Sequence, residues 1–144
     1  MAYDDHVNFG YSTVAVAPAP AISGTALSVA SGQGALFPVP PFNCVIFPID
    51  APPLSSNAEI VRVTGIAGDV FTIIRTQEAT AARAILVGDQ IANAITKKVI
   101  TDIENAVPKV LNPDNGLYYY WQPQNGDIDP ATGLPTIVGV WVPV

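Results

Sequence analysis

Charge is what this sequence has least of. Of 144 residues only 12% are Asp, Glu, Lys or Arg, about half the share of an average soluble domain. The charge present leans acidic, 12 carboxylates against 6 Lys and Arg for a formal net charge of -6, which disfavours a phosphate backbone as partner. No nucleic-acid partner is therefore expected. The single cysteine, Cys44, excludes an internal disulfide and a multi-cysteine zinc site. Long hydrophobic runs are missing as well: the longest, such as residues 39–49, are broken by proline and fall short of the roughly 20 residues that cross a bilayer. No membrane partner is expected. The opening MAYDDHVNFG has aspartates where a secretory leader has basic residues and an apolar core, so no cleaved leader is expected and maturation in a cytoplasm is. Hydrophobic residues nonetheless make up 49%. An apolar chain with so little charge is expected to bury part of its surface against other subunits, which makes an assembly protein the leading class.

The residues of enzyme chemistry are also sparse. His6 is the one histidine; near a chain end, with nothing to hold it beside a nucleophile, it reads as an ordinary terminal histidine. Cys44 sits among apolar neighbours with no basic residue to lower its pKa, and reads as a buried core thiol. Neither phosphate-cradling glycine loop is present. Asn125, Asp127 and Asp129 place oxygens at i, i+2 and i+4, like the start of a calcium loop, but the later glycine and glutamate are wanting, so a solvated Asx-turn loop is expected. Arg75-Thr76-Gln77-Glu78 with Arg83 reads as a salt-bridged turn. No catalytic residue, cofactor or metal ligand is assigned, and the chain is not expected to be an enzyme.

What the sequence does have is punctuation, with 14 prolines and 11 glycines. Residues 1–21, ending in APAPA, read as an extended arm carrying Tyr3, Phe9 and Tyr11. Residues 22–107 read as a β-domain. Leu27 and Val29 alternate with Ser28 in one short strand, and Ile46 faces opposite to Val45 and Phe47 in a second. Ile60–Thr64 and Val70–Arg75 flank Ala67-Gly68-Asp69 as a hairpin. Ile85–Ala94 reads as a further strand, with Gly88-Asp89 as a bulge or tight turn. Such strands suit a compact β-barrel or β-sandwich. Val99, Ile100, Ile103 and Val107 recur with helical spacing, predicting one amphipathic helix from Thr96 to Val107, stopped by Pro108, whose apolar face packs on its own domain or, as the alternative, on another copy. Residues 108–144 read as a C-terminal aromatic hairpin: a turn at Asn112–Gly116, a strand from Leu117 to Gln122, a loop from Gln124 to Pro135 and a strand from Thr136 to Val142. Tyr118, Tyr119, Tyr120 and Trp121 alternate between both faces of that sheet, so one face is expected to meet another chain, the alternative being a strand buried on both faces within the monomer.

The runs Glu59-Ile60-Val61-Arg62-Val63, Arg75-Thr76-Gln77-Glu78 and Gly88-Asp89, within residues 12–104, resemble a small β-module of tailed-bacteriophage virion proteins. That resemblance implies a structural element, seen near the start of appendage or tail-associated chains. About forty residues follow the predicted helix, without heptads, so a fibre shaft is not expected. Two placements in a virion assembled in the host bacterial cytoplasm follow. One is a capsid decoration or cement protein, a homotrimer whose arm lies across joints of the major capsid protein. The other is a tail, neck or baseplate adaptor for a fibre. A carbohydrate-binding platform on Tyr118–Trp121 is a third reading. The partner-binding residues expected are Tyr3, Phe9, Tyr11, Tyr118, Tyr120 and Trp121.

Overall fold

In the computed structural model the chain forms two compact units, residues 1–100 and 101–144. Residues 4–106 are described with their side chains; beyond them the backbone strands at 109–111, 118–128 and 135–143 are described. The first unit holds six strands: β1 (Tyr11–Val16), β2 (Ala26–Val29), β3 (Phe42–Phe47), β4 (Glu59–Ala67), β5 (Val70–Gln77) and β6 (Gln90–Ala92). They pair antiparallel into a closed barrel in the order β1-β2-β5-β4-β3-β6. Closure leaves no free strand edge.

Alternation along each strand builds the core. Leu27 and Val29 of β2, Cys44 and Ile46 of β3, Val61 and Val63 of β4, and Phe71 and Ile73 of β5 all turn inward and are buried. Phe37, which follows a short 3-10 turn (Gly34–Leu36), meets Phe71 edge to face at 5.0 Å and stacks on Phe42 at 6.2 Å. The β4–β5 hairpin pairs Ala67 with Val70, leaving Gly68-Asp69 as a two-residue turn with Gly68 at φ +61, as such a turn needs. Asp69 then accepts the Gly32 and Gly34 amides, both at 2.9 Å. Gly34 is drawn so close to the hairpin that a Cβ there would run into the Gly68 carbonyl oxygen.

Three expectations are corrected. Residues 1–21 are not an arm as a whole, because Tyr11–Val16 is a wall of the barrel, paired with β2 and β6. Its Ser-Thr-Val-Ala-Val alternation buries Ser12 and Val14, and the prolines after it end a strand instead of stiffening an arm. The strand expected from Ile85 contracts to Gln90–Ala92, because the Asp89 side chain accepts the Leu86 amide at 2.8 Å and Gly88 turns at φ +92. The helix α1 (Lys97–Ala106) forms where its spacing predicts, yet none of its residues is buried and Ile100 stays about half exposed. Val99 of its apolar stripe is half-buried, so among the described residues the stripe is only partly covered.

The second unit contains an antiparallel sheet of β7 (Lys109–Leu111), β8 (Tyr118–Ile128) and β9 (Pro135–Pro143) in that order. The hairpin expected here is present, with Trp121 opposite Trp141, and gains a third strand. The strand β8 runs on to Ile128, so Asn125 and Asp127 belong to a strand and not to the loop expected of them. The turn expected at 112–116 lies outside the described residues, as does Asp129. No helix among the described residues is long and apolar enough to cross a membrane.

Candidate interaction surface

Residues 4–10 form a strap across one end of the barrel. Asp4 makes a two-pronged ion pair with Arg62 of β4, at 2.6 and 2.7 Å. The same guanidinium donates to Asn43 Oδ1 of β3 at 3.0 Å, and Lys98 Nζ lies 3.8 Å from the Asp4 carboxylate. Hydrogen bonding from Arg62 holds the Asp4 carboxyl below its usual range, outweighing the opposing effect of burial. Asp5 accepts the His6 amide at 3.0 Å and the Val39 amide at 3.4 Å. At the far end of the strap the Asn93 amide donates to the Gly10 carbonyl at 2.7 Å. The strap and the 93–99 segment enclose an open cleft of about 290 Å³, lined by residues 4–8, Phe42, Asn93–Ile95 and Val99.

Beside this cleft the chain turns sharply through Phe9, whose backbone is left-handed at φ 63 and whose side chain is 94% exposed. That conformation is unfavourable for a residue with a Cβ, and here the side chain contributes little to its own core. Val7, Leu36, Val39 and Ile95 are exposed too. The Asp5–Val39 bond and the approach of Gly10 to the Leu36 carbonyl bring them to the same end. Together they make an apolar crown. At the other end of β1 the 85–88 segment bonds to Val14 and Ala21, bringing exposed Leu86 and Val87 beside exposed Val16 and Ile22. Single exposed apolar residues are ordinary, whereas grouped ones mark contact surfaces.

A buried polar clasp adjoins the 21–24 and 83–89 segments. Glu59, fully buried in β4, accepts Arg75 Nε at 2.8 Å and Thr76 N at 2.9 Å on one oxygen, and Arg75 Nη2 at 2.6 Å and Arg83 N at 3.0 Å on the other. Arg83 in turn pairs with Asp89 at 2.8 and 3.2 Å. Burial works against the Glu59 charge, but these donors outweigh it and hold the carboxyl below its usual range. The clasp spans residues left-handed at Thr76, Glu78 and Ala79, and so fixes a strained corner. The salt-bridged turn expected around Arg75 and Arg83 is thus present.

Of the residues expected to bind partners, the structure brings Phe9 and Tyr11 to one end of the barrel. Tyr11 is partly tethered, its hydroxyl donating to Gln90 Oε1 at 2.9 Å. Tyr3 lies outside the described residues. Tyr118, Tyr120 and Trp121 sit on β8 in the second unit, with side chains outside the described set. His6 lines the cleft, exposed, with no Ser, Thr, Cys or Lys among the other lining residues, while Cys44 is buried in the core, where burial pushes its thiol up. Among the described residues no group of His, Cys, Asp and Glu is arranged to hold a metal ion. Sequence reasoning missed Val7, Leu36, Val39, Ile95 and the cleft, whose lining comes from three separate stretches of chain. No family model matches the chain, and no curated protein matches it by sequence.

Proposed function

We propose that this chain is a non-enzymatic structural module of a tailed-phage virion, acting as an adaptor at the tail, neck or baseplate. The observation that supports the adaptor role is the pair of apolar patches at opposite ends of β1, Val7, Phe9, Leu36, Val39 and Ile95 at one and Val16, Ile22, Leu86 and Val87 at the other. A rigid barrel with two contact ends can join two components. Burial of grouped apolar area at each end supplies the attraction. Glu59, Arg75 and Asp89, which sit in the runs that resemble the phage module, are residues of the clasp, together with Arg83 outside those runs. The placement in a virion rests on that resemblance.

Cement is the second reading. Its expected mechanism was an arm adding strands to neighbouring capsid subunits. The described residues ahead of β1 are bonded instead to their own barrel, through Asp4–Arg62 and Asn93–Gly10, and this favours the adaptor. Immunogold labelling of intact particles with an antibody to this chain separates the two. Label confined to the tail, neck or baseplate is expected, label over the whole shell would favour cement, and particles without label would overturn both.

A further inference from the structure

The crown at the strap end has a projecting aromatic side chain and, next to it, a cleft that holds no side chain of that size. Phe9 is 94% exposed on a backbone that glycine would occupy with less strain. Its neighbour Asn8 lines the cleft, so knob and hole lie side by side on one surface. A ring the size of benzene needs about 150 Å³, and the open cleft here measures about 290 Å³, its walls shared between Val7, Phe42, Ile95 and Val99 and the polar side chains of the strap and Asn93. We propose that two copies of this chain dock crown to crown about a two-fold axis, each placing Phe9 in the cleft of the other.

Adjacency selects the symmetry. A knob and its hole on the same face satisfy each other reciprocally in a two-fold pair, whereas the trimer expected from the sequence would need them on different faces. Charge permits the contact, because the carboxylates at this end are already engaged: Asp4 with Arg62 and Lys98, and Asp5 with two backbone amides. Burying Asp4 against a copy therefore strands no unpaired charge. Phe9 and the exposed parts of Val7, Leu36, Val39 and Ile95 offer on the order of 550 Å² per copy, so the pair reaches about 1,100 Å², close to the lower bound of specific interfaces. The pairing is therefore reversible and concentration-dependent. It stands on the geometry of this end alone, and in the pair the outer ends with Val16, Ile22, Leu86 and Val87 of each copy are left to meet other components.

Sedimentation velocity on the full chain over a range of concentrations tests it. The wild-type mass doubles as concentration rises. Phe9→Gly suits the left-handed backbone and keeps the barrel, and it weakens the pairing about 30-fold or more, as loss of a central aromatic does; at a fixed concentration the sedimenting mass is halved. Ile95→Asp, across the contact, does the same, and Val87→Asp at the opposite end leaves the mass unchanged. A wild-type mass that never doubles, or a doubling that survives Phe9→Gly, overturns the proposal. A three-fold assembly lost on Phe9→Gly would overturn the two-fold arrangement.

Discussion

Replacing Glu59 with glutamine removes one charge and adds two N–H bonds at the most buried polar point of the barrel. The carboxylate accepts four hydrogen bonds, two on each oxygen. Glutamine keeps the pair on one oxygen and turns an amide NH₂ toward Arg75 Nη2 or Thr76 N and their companions, so donors face donors whichever way the amide lies. The Arg75 guanidinium keeps the carbonyls of Ala21, Gly24 and Arg83 but loses its counter-charge. Breaking one partner of a buried pair costs about 3–5 kcal/mol, and the surviving oxygen puts Glu59→Gln near the lower end, roughly 3 kcal/mol. For a domain of this size that lowers the midpoint by roughly 10–20 °C. Because the folded carboxyl lies below its usual range, its contribution is complete at neutral pH and is lost as pH falls through the folded value. The gap between wild type and Glu59→Gln is thus widest near pH 7 and narrows in acid. Both tryptophans, Trp121 and Trp141, belong to the second unit, so neither reports from within the barrel. Hydrogen exchange at the Ile73 amide, which bonds to the Thr25 carbonyl at 2.8 Å, does. A variant within about 1 kcal/mol of wild type at pH 7, or a gap that persists unchanged in acid, would refute the reasoning.

Two further substitutions probe the strap and the hairpin. Gly34→Ala sets a methyl group against the Gly68 carbonyl and forces the 31–36 loop off the β4–β5 turn; it lowers barrel stability by about 2 kcal/mol or more, read by thermal unfolding in far-ultraviolet circular dichroism. Asp4→Asn weakens the hold of Arg62 on the strap, so amides of residues 5–10 and Asn93 exchange faster while Ile73 does not. Lowering the pH reproduces this in wild type, since Asp4 is held below the usual carboxylate range and the strap is bound until the pH falls through that value.

The barrel wall was largely legible. Ala67-Gly68-Asp69 between alternating apolar runs identifies a hairpin, because a two-residue turn demands a positive φ and the pleat demands alternation. β1 carried the same alternation, but its place beside two alternating prolines near a terminus suggested an arm. Only pairing with β2 and β6 shows that Ser12 and Val14 are inside. The clasp was half visible: Arg75 and Arg83 stood out as charges in a sparse sequence, whereas Glu59 meets them through a hairpin register with two shifts that no local pattern encodes. The cleft was not legible, since residues 4–8, 42 and 93–99 come together only when the barrel closes. Phe9 stands out in the sequence as an aromatic near a terminus, but nothing there announces its left-handed backbone.

The copy number of this chain in purified particles, by quantitative mass spectrometry against the major capsid protein, tests the proposed role most directly. An adaptor is present in small multiples at one vertex, and a ratio below roughly one in twenty is predicted. A ratio near one to one would contradict the adaptor and place the chain over the whole shell.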